Sequence, residues 1–108
     1  SNEQKNIMLN PLSQNTGNDN PDAILIQHAL DGNRKSLEQL VADHQPWIYN
    51  IAFKMIMDHD DAADITQEIL IKIITNLASY NPDRGNFRTW AYRIVVNHVL
   101  NMKKRKFE

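Results

Sequence analysis

The chain has 108 residues, of which 42% are hydrophobic and 23% charged, and its formal net charge is −1. This composition is typical of a globular domain, with about 85 residues available for one small core and no apolar run near the roughly 20 residues that span a bilayer. The absence of cysteine excludes disulfides, thiolate metal sites and thiol catalysis, and together with the absence of a secretory leader it fits a cytoplasmic protein.

The first 20 residues are polar and contain six asparagines and two glutamines around a short Ile-Met-Leu patch. Such a segment cannot bury enough apolar area to offset the entropy lost on ordering. We therefore predict a disordered N-terminal segment at 1–20 and a single folded domain at 21–108.

Two helices are expected in the next part of the chain. An asparagine cap followed by Pro21 predicts the first helix, which ends near Gly32. A second helix begins near Asn33. Pro46 removes a backbone donor from it, so we expect either a kink or a fresh helix start at that position.

A polar break at 58–61 precedes a third predicted helix at about 62–79. The segment 80–86 contains Asn-Pro and glycine and is expected to form a loop. A fourth helix is expected at about 87–105. No segment has the alternating pattern of a strand, so we predict an all-α fold, a compact bundle of four to five helices.

Charge is unevenly distributed over the second half of the chain. Residues 58–83 contain six acidic residues and one lysine, whereas residues 84–108 contain seven basic residues and one acidic residue. This asymmetry predicts two surfaces with different partners, the basic one suited to nucleic acid.

The third helix places one isoleucine on its polar side. At 100° per residue, Ile71 lies among acidic and amide side chains, opposite the apolar core face. The polar side is formed by Asp61, Asp64, Gln67 and Glu68. A solvated acidic face explains this pattern, and so does a protein-docking face with an apolar centre and a charged rim. The residues alone leave both interpretations open.

The fourth helix is apolar around most of its circumference, including Leu100, and we expect it to be deeply packed. One narrow polar stripe remains, formed by Trp90, Arg93, Asn97, Asn101 and Lys104. Cationic and amide side chains that share a stripe with an aromatic ring suit unpaired nucleic acid, because they can bind phosphates and base edges while the ring stacks on a base. The alternative is that Trp90 is an ordinary core residue and the basic end a solvated helix terminus.

An enzyme is the third class we considered. His59 lies among several aspartates that could imitate a metal site, but a helix start explains these acids as capping residues. The four histidines share no ligand spacing, and no glycine-rich phosphate loop or nucleophile–base pair is present. We therefore predict no enzymatic activity, no bound metal and no cofactor.

Several segments together resemble a known family. They are DAADITQEI at 61–69, YNP at 80–82, FRTWAYRI at 87–94, and Asn97. In this order and spacing they are similar to region 2 of bacterial sigma factors, in the extracytoplasmic-function type of the sigma-70 family. The resemblance covers about residues 22–106.

The resemblance implies a transcription initiation factor that binds core RNA polymerase and recognises and melts the −10 promoter element. It implies that the third helix docks on the clamp helices of the β′ subunit through Asp61, Asp64, Gln67, Glu68 and Ile71. It also implies that the loop and the fourth helix capture non-template bases of single-stranded promoter DNA. The DNA-binding residues expected on this basis are Asn81, Arg84, Asn86, Arg88, Trp90, Arg93, Asn97, Asn101, Lys103, Lys104 and Arg105.

The chain departs from the family in one respect, since members carry a second, helix-turn-helix domain for the −35 element. We therefore expect an isolated promoter-melting domain of a longer protein. Members are also held inactive by anti-sigma factors, so such a protein is a further expected partner. A helical protein-interaction module without DNA binding is the alternative function.

Overall fold

The computed structural model describes residues 21–107, so the predicted disorder of residues 1–20 lies outside the described residues. Its four α-helices are α1 (Pro21–Leu30), α2 (Arg34–Ile56), α3 (His59–Thr75) and α4 (Phe87–Phe107). Two short 3-10 helices, Leu77–Ser79 and Pro82–Arg84, connect α3 to α4. Residues 21–107 contain no β-strand, and the predicted all-α fold is confirmed.

Short polar side chains begin two of these helices. The Asn33 side-chain oxygen accepts a hydrogen bond from the Ser36 backbone nitrogen at 2.9 Å, and Asp58 accepts one from the Asp61 nitrogen at 2.9 Å. Each bond satisfies one of the backbone donors that a helix start leaves unpaired. Asp58 at the start of α3 therefore has the capping role that the sequence indicated.

Helix α2 continues through Pro46, so the fresh helix start that we considered at this position is wrong. Buried side chains recur every four residues on both sides of the proline, at Leu40, His44, Ile48 and Ala52. This stripe forms one continuous packing surface along α2. Pro46 has no backbone N–H to donate to the carbonyl four residues earlier in α2. Because Pro46 is exposed, this carbonyl faces the solvent side, where water can donate a hydrogen bond to it.

Helix α3 ends earlier than the sequence predicts. Asn76 bonds back to the last turn, its side-chain amide donating to the Lys72 carbonyl at 2.8 Å. The chain then continues as a 3-10 helix, which buries Leu77. Ile74 lies on the apolar side of α3, where helical spacing predicts a core residue, but it is 36% exposed.

The core lies between α2, α3 and α4, and α2 contacts all three other helices. Ile48, Ile69 and Val95 each contribute a fully buried side chain from a different helix. The buried Thr66 hydroxyl donates to the Ala62 carbonyl at 2.7 Å, so its polar group is satisfied within α3.

Helix α4 is less deeply packed than we predicted. Leu100 is 50% exposed and Tyr92 is 51% exposed, so the outer face of α4 is broader than one narrow polar stripe. The physical reason is that, within residues 21–107, α4 packs mainly against two helices, α2 and α3. The side of α4 that becomes buried is marked by Phe87, Ala91, Val95 and Val99.

Candidate nucleic-acid interface

An open pocket of about 270 Å³ lies where the loop after α3 meets the first turns of α4. It brings together five of the residues that the sequence predicted for DNA binding, along with four neighbours. The lining residues are Ser79, Tyr80, Asn81, Arg84, Gly85, Asn86, Thr89, Trp90 and Arg93.

Hydrogen bonds within the loop define the shape of the pocket. The Tyr80 hydroxyl donates to the Gly85 carbonyl at 2.7 Å. Gly85 has φ of +150°, which favours glycine at this position. The side-chain oxygen of Asn81 accepts from the Asp83 nitrogen at 2.9 Å, and that of Asn86 accepts from the Thr89 nitrogen at 2.8 Å. Asn81 and Asn86 therefore have structural roles that the sequence analysis did not assign.

Trp90 is half-buried and belongs to both the core and the pocket. Its ring packs on Tyr80 with centroids 5.5 Å apart and on Phe87 with centroids 5.7 Å apart. Ring contacts of this kind stabilise a fixed orientation. The remainder of the indole lines the pocket beside Arg93, whose side chain is exposed.

Arg88 lies apart from this pocket, although the sequence placed it in the same group. Its guanidinium carbon is 4.7 Å from the centroid of the Trp47 ring, in cation–π geometry. The Trp47 indole nitrogen donates to His44 Nδ1 at 2.8 Å, and His44 Nε2 is 3.0 Å from Asp22 Oδ1. Sequence reasoning missed Trp47, because nothing in its helical periodicity relates it to α4.

The other predicted DNA-binding residues follow α4 away from the pocket. Asn97, Asn101, Lys104 and Arg105 are exposed, and Lys103 is half-buried. The side chain of the neighbouring Lys106 is outside the described set. The exposed positions keep cations and amides on the outer side of α4, as the helical spacing indicated.

Arg105 lines a second groove, of about 370 Å³, which the sequence did not predict. The groove has an apolar floor and an acidic rim from α3. Its lining residues are Ile56, Asp61, Asp64, Ile65, Glu68, Met102 and Arg105. The acidic and basic surfaces, which the sequence analysis treated as separate, therefore meet at the C-terminal part of α4.

The outer face of α3, which we call the acidic face, consists of Asp61, Asp64, Gln67, Glu68 and Ile71. Ile71 is 61% exposed, and Asp64, Gln67 and Glu68 are also exposed. Asp61 is half-buried. An isoleucine exposed to this degree beside acidic and amide side chains has the composition of a docking surface.

One member of the acidic face is tied to α4. His98 Nε2 is 2.9 Å from Glu68 Oε1, and Lys72 Nζ is 3.4 Å from His98 Nδ1. An ammonium group can only donate, so Nδ1 accepts and Nε2 carries the proton that is donated to Glu68. The His98 ring thus fixes one oxygen of a carboxylate that is 50% exposed.

Within residues 21–107, no group of three or more histidine, aspartate or glutamate side chains has the arrangement of a metal site. The His59 ring instead stacks on Phe53 at 4.2 Å, and its Nδ1 is 2.6 Å from the Tyr49 hydroxyl. In the same part of the chain, no helix has the length and apolar character needed to cross a membrane.

The all-helical bundle is the fold that the sequence predicted, and its third helix has an acidic outer face. Residues 40–107 match the family described as sigma-70 region 2, and the chain belongs to this family. The predicted family is thereby confirmed, and it agrees with the expectation that the chain is not an enzyme.

Individual relatives are RNA polymerase sigma factors. The chain is 34% identical over 71 residues to the ECF RNA polymerase sigma factor SigE of Mycolicibacterium smegmatis, covering 66% of this chain and 27% of the relative. It is 30% identical over 80 residues to the RNA polymerase sigma-H factor of Pseudomonas aeruginosa, with coverage of 74% and 41%. It is 28% identical over 81 residues to the ECF RNA polymerase sigma factor SigW of Bacillus subtilis, with coverage of 75% and 43%. The chain thus spans less than half the length of these relatives.

Proposed function

We propose that this chain is a domain of a cytoplasmic transcription initiation factor that binds core RNA polymerase and recognises and melts the −10 promoter element. The observation that carries the proposal is the open pocket beside Trp90. It combines a fixed aromatic ring with the exposed cations Arg84 and Arg93, which is the combination that unpaired nucleic acid requires. Family membership supports the same function. We assign the folded domain to residues 21–108.

In this proposal, the pocket captures a base of the non-template strand. Removing a base from the stack costs a few kcal/mol, and stacking on an aromatic ring returns about 1–3 kcal/mol per base. The hydrogen bonds of Tyr80, Asn81 and Asn86 hold the loop in shape, so little ordering entropy is lost on binding. Arg84 and Arg93 contribute contacts to the phosphates on either side of the captured base.

Arg88 and the distal part of α4 extend the DNA contact away from the pocket. Arg88 supplies a phosphate contact from above Trp47. We assign Asn97, Asn101, Lys103, Lys104 and Arg105 to DNA beyond the pocket, with the three cations on the duplex backbone. Arg105 also lines the second groove, whose rim is formed by acidic residues of α3, so it lies between the proposed DNA-binding surface and the acidic face.

The acidic face is the proposed polymerase-binding surface, and the clamp helices of the β′ subunit are its proposed partner. Asp64, Gln67 and Glu68 precede the exposed Ile71 on the same outer side of α3, so an apolar side chain lies beside an acidic, polar surface. The carboxylates favour a basic partner surface. An anti-sigma factor that covers either surface would block the function, and we propose such a protein as a further partner.

Binding to single-stranded DNA tests the proposal directly. Arg93→Ala removes an exposed cation from the pocket and should weaken binding of the chain to a labelled short DNA strand of randomised sequence. The expected loss is about five- to tenfold, or roughly 1–1.4 kcal/mol. The slope of log affinity against log salt should fall by about 0.7, the value for one phosphate contact on a single strand.

Lys54→Ala is the matched control, because Lys54 is also exposed but lies in the last turn of α2, away from the pocket. It should leave both affinity and salt slope unchanged. Salt-independent binding by the wild-type chain, or no DNA binding even with polymerase present, would refute the proposal and favour a protein-interaction module.

A further inference from the structure

Arg88 lies at the end of a chain of contacts that begins in α1. Asp22 of α1 is bonded to His44 of α2, His44 to Trp47 in the same helix, and the Trp47 ring supports Arg88 of α4. The distances are 3.0 Å from Asp22 Oδ1 to His44 Nε2, 2.8 Å from Trp47 Nε1 to His44 Nδ1, and 4.7 Å from the Arg88 guanidinium carbon to the Trp47 ring centroid.

The two hydrogen bonds that join Trp47, His44 and Asp22 run in one direction. The indole nitrogen of Trp47 can only donate, so His44 Nδ1 accepts, and the proton on His44 Nε2 is donated to the Asp22 carboxylate. His44 is therefore the neutral tautomer with its proton on Nε2, and its contact with Asp22 is a hydrogen bond to a carboxylate rather than an ion pair.

The His44 ring is held on all sides. Its side chain is 11% exposed, and its edge packs on Phe87, with ring centroids 4.7 Å apart and planes at 66°. Phe87 is itself 1% exposed and immediately precedes Arg88 in the chain. The indole of Trp47 thus has an orientation fixed from both α1 and the first residue of α4.

We propose that Trp47 is a positioning residue, which holds the Arg88 guanidinium in place for a DNA phosphate, and that His44 and Asp22 fix the Trp47 ring. This inference rests on the proposed DNA-binding function. Arg88 is exposed, and an exposed arginine without a platform samples many rotamers that binding has to restrict. A fixed ring beneath the guanidinium reduces this loss before DNA arrives, while the N–H groups at the edge of the cation remain directed away from the ring face.

Two variants, Trp47→Leu and Trp47→Phe, test this role. Both remove the indole N–H, but only the phenylalanine variant keeps an aromatic ring. Trp47→Leu should weaken binding to the labelled single strand by about two- to fivefold, the magnitude of an exposed cation–π contact. Trp47→Phe keeps a ring beneath Arg88 but loses the hydrogen bond to His44, so its affinity should lie between those of the wild type and Trp47→Leu. In the Arg88→Ala background, Trp47→Leu should cause no further loss.

The free chain provides a second measurement. The side-chain methylene protons of Arg88 should show ring-current shifts by NMR in the wild type, and these shifts should be lost in Trp47→Leu. Random-coil shifts for Arg88 in the wild type would overturn the inference, whether or not the chain binds DNA.

The binding results separate this inference from the proposed function. Equal affinities of the Trp47→Leu and Trp47→Phe chains, or a Trp47→Leu effect that persists without Arg88, would overturn the positioning role while leaving DNA binding intact. A wild-type chain that binds no single-stranded DNA would refute the proposed function, and with it the role of Arg88.

Discussion

Replacement of Ile71 by glutamate is the sharpest perturbation of the acidic face. Ile71 is 61% exposed and lies four residues before the end of α3 at Thr75, so the folded domain gains little from its side chain. Glutamate is a good helix former, and the added charge is one turn from Glu68, which costs about 0.2–0.5 kcal/mol. The free energy of unfolding should therefore change by no more than about 0.5 kcal/mol.

The effect on docking should be much larger. Full burial of an isoleucine stabilises by about 1.5–3 kcal/mol, so covering the exposed 61% contributes roughly 1–2 kcal/mol. Ile71→Ala should accordingly weaken polymerase binding by about five- to thirtyfold. Ile71→Glu in addition buries a carboxylate without a partner, which costs several kcal/mol, and binding should be lost.

The assay is binding of the labelled chain to core RNA polymerase by fluorescence anisotropy, with helical content followed by circular dichroism. Ile24→Glu is the matched control, because Ile24 is 63% exposed on α1. It should retain wild-type affinity. Unchanged affinity for Ile71→Glu, or an equal loss for Ile24→Glu, would refute the assignment of the acidic face to polymerase.

Two further predictions concern the stability of the segments that frame these surfaces, and both are measured by urea unfolding. Asn86→Ala removes the hydrogen bond from the Thr89 nitrogen and should lower the free energy of unfolding by about 0.5–2 kcal/mol. Asn86→Ser keeps a side-chain oxygen that can accept this bond and should retain the wild-type stability. Equal stability of the alanine variant and the wild type would exclude a capping role. Met57 has φ of +61° and is 71% exposed, so its backbone is in the left-handed region that favours glycine. Met57→Gly should therefore raise the free energy of unfolding by about 1 kcal/mol. A decrease would mean that packing of the Met57 side chain outweighs the backbone strain.

Helical periodicity predicted much of this molecule because burial in a bundle follows it. On α3 it separated the exposed Ile71 from the buried Ile65, Ile69 and Ile73. On α4 it placed Arg93 and Asn97 outside, although it assigned Leu100 to the core. Periodicity indicates which side of a helix is apolar, but the number of neighbouring helices decides how wide the covered side is.

Contacts between distant segments could not be predicted in this way. Trp47 has the spacing of an ordinary apolar helix residue, and its relation to Arg88 depends on how α2 and α4 pack. The end of α3 depends on the backbone bond of the Asn76 side chain, a local competition that composition does not reveal. The groove shared by Arg105 and the acidic face likewise arises from the packing of α4 against α3.

The positions of Arg88 and Trp90 constrain the path of a bound strand. Two residues apart on a helix, their side chains diverge by about 200°, so they lie on different sides of α4. Phe87 and the Asn86 cap lie between them at the helix start. A strand that contacts both has to cross the N-terminal end of α4, where the helix dipole favours a phosphate. The aromatic contacts of Phe87 with Trp90 and His44 therefore do more than fill the core, because they hold the start of α4, which carries Arg88 and Trp90, against α2.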